Sequence, residues 1–245
     1  PHFNVYSGPT IDADKAKAFF LDRGCPHEEL DDDDLINKVT DNLVQGKALG
    51  WCRGPAEWGP RALGNRSIIA NPLVPGIKNT LNMKIKMREG FRPFAPFIPL
   101  SYMDKLFEAP RESPYMSLVF YLKEELRDPD AELAIDGKTL SSELFQNLKS
   151  AVIHEDWSAR VQTVTSERNG LFNKVAERFF ALTGCPMLIN TSFNARGEPM
   201  VLTSQDVFRC LMRTGLDGLV VGNYFLAKER QPLLTSDETE TFALD

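Results

Sequence analysis

The sequence contains few of the side chains that build metal centres or carry out nucleophilic catalysis. Its 245 residues include four cysteines and three histidines, which are His2, His27 and His154. No two cysteines form a C-x-x-C pair, no cysteine has a histidine at ligand spacing, and the histidines show no H-x-x-x-H spacing. This pattern argues against a zinc or iron site in the chain. We expect buried, reduced thiols and therefore a cytoplasmic protein.

Long apolar runs and the common nucleotide-binding motifs are also missing. No apolar stretch has the length that a membrane-spanning helix needs, and the chain does not open with a signal-peptide pattern. It has no G-x-x-x-x-G-K-[ST], G-x-G-x-x-G or G-x-S-x-G segment, which excludes a common P-loop, a Rossmann site and a serine nucleophile elbow. Because the first residue is Pro1 and not methionine, we expect the chain to be part of a longer protein.

Positive charge is scarce overall but concentrated in one segment. The formal net charge is −6, which argues against a general nucleic-acid binder. The segment Arg53–Arg92 nevertheless holds eight lysines or arginines and two glutamates, a net charge of +6. A local basic focus in an acidic chain indicates a small polyanionic ligand more than a long polymer.

The spacing of apolar residues predicts a mixed α/β fold with one main domain over residues 1–245. Helices are expected at about 11–22, 35–43, 77–85, 169–182 and after a capping box of Thr203 and Asp206. Strands are expected at about 48–52, 67–70, 115–122, 187–190 and 219–221. Three prolines in 91–100 predict an edge or irregular extended segment, and the polar stretch 123–149 predicts an insertion or mobile excursion. An arm and helix occupy about 1–30, and a frayed tail begins near 231.

Four segments are too polar and too rich in glycine and proline to belong to the core. They are 53–66, 86–96, 154–160 and 190–199, and each adjoins a predicted strand or helix. Arginine offers a planar fork that matches phosphate oxygens, and neighbouring glycines let backbone N–H groups approach an anion. The segments therefore predict a polyphosphate site built from several loops. Trp58, Phe91 and Phe94 within them are interpreted as packing anchors.

These same segments carry a family resemblance that covers nearly the whole chain. The strings are GPAEWGPRALGNRSIIANP, LNMKIKMREGFRPFAPF, SARVQTV, and INTSFNARGEP through RTGLDGLVVGNYFL. They resemble the C-terminal half of the O-carbamoyltransferases of antibiotic and nodulation-factor biosynthesis. The resemblance implies a YrdC-like mixed, twisted sheet with flanking helices. It also implies an enzyme that uses ATP, with Mg²⁺ assisting, and carbamoyl phosphate to make carbamoyladenylate.

Matching positions give the site residues that the resemblance implies. The expected catalytic residues are Lys86, Arg160 and Ser192. The expected substrate-binding and nucleotide-binding residues are Arg61, Arg66, Arg88, Arg92, Asn190 and Asn194. No metal ligand is assigned. One departure is Trp157, a bulky residue where the family has glycine.

The resemblance also implies a partner. In this family an actin-like ATPase-type half, fused or separate, holds an iron site and passes the carbamoyl group to an acceptor hydroxyl, and nothing in this sequence resembles that half. Two alternatives are weighed against this hypothesis. A threonylcarbamoyl-AMP synthase of tRNA modification should carry a Ser-Ala-Asn-x-Ser-Gly loop, whereas Asn190–Asn194 reads Asn-Thr-Ser-Phe-Asn. The other alternative is a non-catalytic binding partner of a separate transferase subunit.

Overall fold

The computed structural model describes residues 4–235, so residues 1–3 and the last ten residues of the predicted tail lie outside the described part. The helices are α1 (Ala13–Asp22), α2 (Asp32–Val44), α3 (Ile77–Thr80), α4 (Met103–Leu106), α5 (Ser142–Val152), α6 (Ser166–Asn169), α7 (Leu171–Thr183) and α8 (Ser204–Arg213). The strands are β1 (Tyr6–Thr10), β2 (Glu28–Glu29), β3 (Leu49–Cys52), β4 (Pro55–Glu57), β5 (Arg66–Ala70), β6 (Ala95–Pro99), β7 (Val119–Tyr121), β8 (Leu133–Ile135), β9 (Lys138–Leu140), β10 (Ser158–Arg160), β11 (Gln162–Val164), β12 (Leu188–Ser192), β13 (Gly218–Val221) and β14 (Tyr224–Ala227).

Eight of the strands form one mixed sheet, and this confirms the predicted α/β fold class. The strand order is β11-β6-β12-β5-β3-β13-β14-β2. The β11–β6 and β3–β13 pairs are parallel and the other pairs are antiparallel. Strands β3 and β5 are buried along their whole length, as expected for strands in the middle of a sheet that is covered by helices.

Helix starts follow the local sequence closely. The acidic run before α2 supplies its N-cap, since the Asp31 carboxylate accepts a hydrogen bond from the Asp34 N–H at 2.8 Å. The predicted capping box of Thr203 and Asp206 is present at the start of α8. Each cap satisfies backbone donors that a helix leaves unpaired. Helix α2 packs against α7, and α8 packs against β13 and β3.

Strand β6 corrects one sequence prediction. We expected the proline-rich segment 91–100 to be an edge or irregular segment, but β6 lies between β11 and β12 inside the sheet. Pro96 and Pro99 lack the N–H that a ladder requires. Strand β11 is only three residues long and pairs with residues 97–99, so Pro96 has no partner in β11, and Pro99 is the last residue of β6.

The segment 123–149 corrects a second sequence prediction. It forms a β8–β9 hairpin followed by α5, and Leu133, Ile135, Phe145 and Leu148 belong to the main core. The interpretation as a mobile excursion is therefore wrong. Its apolar residues occur singly or in runs of at most three between polar and charged residues, which is too short for a clear periodicity. Whether the segment is an insertion relative to the family stays a prediction.

No helix within residues 4–235 is long and apolar enough to cross a membrane.

Candidate active site

The register of the sheet brings the four polar segments to one end of it. Cys52 at the end of β3 pairs with Arg66 at the start of β5, and Ser192 at the end of β12 pairs with Ser67. Asn190 pairs with Ala95 at the start of β6. Strand β11, which follows Arg160, runs parallel to β6 and begins at the same end. The loops that precede or follow these strand ends therefore meet.

A cavity of about 950 Å³ opens where they meet, and we call it the central cavity. All four polar segments contribute to its lining. Five cationic side chains line it, namely Arg61, Lys78, Arg88, Arg92 and Arg160. Its lining also includes His154, Glu155, Asp156, Asn190 and Ser192. Six of the nine predicted site residues thus line a single cavity, and the excess of cations makes that cavity suited to a polyanion.

The four arginines of the central cavity lie in two pairs, and the like charges within each pair repel each other. Burial and the neighbouring Arg61 lower the pKa of Arg160, and burial and the neighbouring Arg92 lower the pKa of Arg88. The Arg88 guanidinium also lies 5.2 Å from the centre of the Phe94 ring. Glu89, 3.7 Å from Arg92, offsets part of the repulsion in the second pair. Because arginine stays protonated, a bound anion would relieve the rest.

The 53–66 loop is folded around a buried carboxylate. Glu57 is 6% exposed, and its Oε1 accepts hydrogen bonds from the backbone N–H groups of Leu63, Asn65 and Arg66 at 2.7, 2.7 and 3.1 Å. Charge-assisted bonds of this kind are stronger than neutral ones. They fix the turn that presents Arg61 to the central cavity. Sequence analysis assigned no role to Glu57.

Arg66 lies in a different place from the one expected. Its side chain is fully buried and does not line the central cavity. Its guanidinium donates hydrogen bonds to the carbonyls of Gly54, Asn65 and Pro9 at 2.8 to 2.9 Å. Because all three partners are backbone groups, Arg66 ties the loop to strand β1. Its sequence neighbours gave no signal that would separate it from Arg61, which lines the cavity.

Lys86 is held behind the wall of the cavity. A π-helical turn, Leu81–Ile85, precedes it, and Met87 after it has a φ of 47°, a left-handed conformation that is uncommon for methionine. Its ammonium donates to Ser192 Oγ at 3.1 Å, to Asn194 Oδ1 at 2.9 Å, and to the carbonyls of both residues. Burial lowers the pKa of Lys86 to about 7. The structure therefore brings Lys86, Ser192 and Asn194 together as one cluster.

Asn82 organises the 86–94 segment and was missed as a site residue. It is buried, its Oδ1 accepts from Arg88 Nε at 2.7 Å, and its Nδ2 donates to the Arg92 carbonyl at 2.9 Å. A single amide thus holds the Arg88 side chain and the backbone at Arg92. Its position four residues before Lys86, on the same helix face, was the available signal.

The 154–160 loop carries the departure at Trp157. Trp157 has a φ of 65°, which glycine adopts freely and tryptophan does not. Asp156 Oδ1 accepts from the Ser158 hydroxyl at 2.6 Å and from its N–H at 3.1 Å, which closes the turn. The Trp157 ring lies 6.0 Å from Lys149 Nζ and is partly exposed. The turn therefore closes with tryptophan in a left-handed conformation.

The aromatic residues of the polar segments divide into two groups. Phe94 is 3% exposed and packs in the core, as expected. Trp58 and Phe91 are each 71% exposed, so their interpretation as packing anchors is wrong. Phe91 lines the central cavity. Sequence could not separate these rings, because burial depends on which neighbours the sheet brings close.

Residues 40–228 match the family model described as the carbamoyltransferase C-terminus. The chain therefore belongs to the carbamoyltransferase family. It is 43% identical to an uncharacterized protein of Synechocystis sp. over 89% of this chain and 36% of that protein. It is 37% identical to the nodulation protein NolNO of Sinorhizobium fredii over 91% of this chain and 31% of that protein. It is 33% identical to the 3'-hydroxymethylcephem-O-carbamoyltransferase of Amycolatopsis lactamdurans over 91% of this chain and 38% of that protein.

The chain spans about a third of the length of the curated relatives it matches. Within residues 4–235, no group of three or more His, Cys, Asp or Glu residues is placed to hold a metal ion. His154 lines the central cavity, His27 lies beside Phe20 and Tyr224, and His2 falls outside the described residues.

Proposed function

We propose that this chain forms carbamoyladenylate from ATP and carbamoyl phosphate, as the carbamoyl-activating part of an O-carbamoyltransferase. The observation that carries the proposal is the central cavity, where five cationic side chains from three of the four polar segments and from α3 line one space. Two acidic substrates, each bearing phosphate, need such a surplus of positive charge. The name of the cephem relative, an O-carbamoyltransferase, supports the same reaction class.

The proposed chemistry has two steps. Water first cleaves carbamoyl phosphate to carbamate and inorganic phosphate. A carbamate oxygen then attacks the α-phosphorus of ATP, the bond from that phosphorus to the bridging oxygen breaks, and pyrophosphate leaves with the electron pair. Negative charge shifts toward the leaving oxygens during this transfer. The pairs Arg61 with Arg160 and Arg88 with Arg92 are the groups that neutralise it.

Lys86, Ser192 and Asn194 shape the wall at which the transfer takes place. Ser192 lines the cavity, so its hydroxyl is the member of the cluster that meets substrate and orients the carbamoyl end. Lys86 acts from behind Ser192. Burial lowers the pKa of this lysine to about 7, and an arriving polyphosphate favours its charged form.

Mg²⁺ enters this proposal as part of the nucleotide substrate. Magnesium is commonly held by one or two carboxylates together with substrate phosphates. Glu155 and Asp156 are carboxylates that line the central cavity, so they fit the role of holding it. The ion supplies charge neutralisation on the phosphates when it is bound.

The acceptor hydroxyl is proposed to be carbamoylated elsewhere. The relatives are about three times as long as the match to this chain, which leaves room for a second catalytic part, fused or separate. We propose that this part has the actin-like fold and the iron site. The isolated chain should then consume ATP and carbamoyl phosphate without carbamoylating an acceptor.

The test is release of pyrophosphate by the purified chain with ATP–Mg²⁺ and carbamoyl phosphate, with each substrate omitted in turn. Release that needs both substrates supports the proposal. Arg160→Ala should lower the rate about 100-fold, whereas Arg178→Ala, an exposed arginine on α7, should leave it unchanged. Pyrophosphate release with bicarbonate and threonine in place of carbamoyl phosphate would instead favour a threonylcarbamoyl-AMP synthase. No release with either set would leave a non-catalytic partner as the better hypothesis.

A further inference from the structure

A buried amide on the wall of the central cavity has one atom without a partner. Asn190 is 1% exposed, lines the cavity, and its Oδ1 makes no hydrogen bond. Buried polar atoms are nearly always paired, and those left over often belong to functional sites. An amide oxygen is an acceptor, so the group that pairs with it must be a hydrogen-bond donor.

The neighbours of Asn190 fix which end of its amide is free. The Gln162 Nε2 group donates to the Leu63 carbonyl at 2.7 Å. A carbonyl can only accept, so the other end of the Gln162 amide must be its oxygen. That oxygen accepts from Asn190 Nδ2 at 2.7 Å, and the Ala62 carbonyl accepts from the same nitrogen at 3.1 Å. The carbonyls of Leu63 and Ala62 thus fix the orientation of both amides. The atom of Asn190 that remains without a partner is its oxygen, which can only accept a hydrogen bond.

We propose that Asn190 Oδ1 accepts a hydrogen bond from the amino group of the carbamoyl substrate, and that Gln162 is a positioning residue that holds the amide in this orientation. This inference rests on the proposed function, since it names how that site selects its substrate. A carbamoyl group has an N–H to donate, whereas an acetyl group of almost the same size has none. The locked amide therefore selects by hydrogen-bond chemistry and not by volume.

The adenine amino group is a second possible donor, and position decides against it. Asn190 lies two residues before Ser192 on the buried part of β12, next to the proposed transfer wall. The exposed ring at the cavity edge belongs to Phe91, which offers a stacking surface for a base. A small carbamoyl group suits the buried position, and a purine suits the exposed one.

The test compares carbamoyl phosphate with acetyl phosphate in ATP-dependent pyrophosphate release by the wild-type chain. We expect kcat/KM to favour carbamoyl phosphate by at least about 100-fold. In Asn190→Leu and Gln162→Met the ratio should fall below about 10-fold. Because the ratio compares two substrates on one protein sample, loss of folding cannot imitate the result.

Four outcomes would overturn the inference. A wild-type preference for carbamoyl phosphate over acetyl phosphate of less than about 10-fold would show that the site does not recognise the amino group. Pyrophosphate release with carbamoyl phosphate would still support the proposed function in that case. Variants that keep the full ratio would remove Asn190 and Gln162 from the selection. Replacing ATP with purine riboside triphosphate, which lacks the amino group, gives the third arm: a wild-type penalty that disappears in Asn190→Leu would assign the oxygen to adenine. No release with either acyl phosphate would reject the proposed function and the inference with it.

Discussion

Two buried cations, Arg66 and Lys86, look alike in the sequence and differ in what surrounds them. Both lie beside polar loops that are rich in glycine and proline, and both are less than 10% exposed. Arg66 donates to backbone carbonyls that tie the 53–66 loop to β1. Lys86 donates to the Ser192–Asn194 turn on the cavity wall. The comparison teaches that the partners of a buried charge, and not its sequence context, separate a structural role from a functional one.

The largest expected effect is on the structural side of this comparison. Arg66→Met removes the three hydrogen bonds that the buried guanidinium donates to backbone carbonyls, so the free energy of unfolding should fall by about 3–5 kcal/mol. Urea unfolding followed by circular dichroism measures it. The matched control is Arg61→Met in the same loop, which is exposed and should change stability by no more than about 0.5 kcal/mol. Equal effects of the two variants would contradict the assigned roles.

Lys86 should show the opposite division between activity and stability. Lys86→Met removes the charge behind Ser192, so pyrophosphate release should fall about 100-fold, which is roughly 3 kcal/mol of transition-state stabilisation. The free energy of unfolding should not fall, because the variant also removes the desolvation cost of a buried cation. Lys84→Met, at an exposed position two residues earlier, should change neither. A variant of Lys86 that is active within a few-fold of wild type would reject its role.

The pH dependence of stability tests whether Lys86 is desolvated in the folded protein. Burial lowers the pKa of Lys86 from 10.5 to about 7. Between these values the unfolded chain holds a proton that the folded chain has lost, so Lys86 weakens the fold progressively as pH falls from about 10 toward 7. Measured against Lys86→Met, wild-type stability should rise with pH in this range by up to about 1.4 kcal/mol per unit. A difference between the two proteins that is constant from pH 7 to pH 9 would show that the lysine is not desolvated.

The smallest effect is expected at Trp157. Trp157→Gly relieves a φ of 65° but gives up the ring beside Lys149 and adds backbone entropy to the unfolded chain. We expect a net change within about 1 kcal/mol in thermal unfolding. Trp157→Ala loses the same ring and keeps the strain, so it should be less stable than the glycine variant by about 1 kcal/mol. An alanine variant as stable as the glycine variant would mean that the backbone relaxes.

The local elements of the fold could be predicted from sequence because their signals are local. The capping box at Thr203 and the helical apolar spacing of α2 and α7 need only neighbours within a few residues. The 123–149 segment and β6 could not be predicted in the same way. Their apolar residues find partners on distant elements, and the tolerance of β6 for proline depends on the short strand beside it.

The sequence by itself determined the four polar segments, their charge and their family, because these are properties of residue types in a fixed order. It also placed six of the expected site residues in what proved to be one cavity. Only the tertiary structure decided that Arg66 is buried whereas Arg61 lines the central cavity. The same is true of the supporting contacts of Asn82, Glu57 and Gln162. The physical reason is that a hydrogen bond depends on where two groups end up in space. Gln162 and Leu63 are 99 residues apart in the chain, and only the folded sheet together with the 53–66 loop brings them within bonding distance.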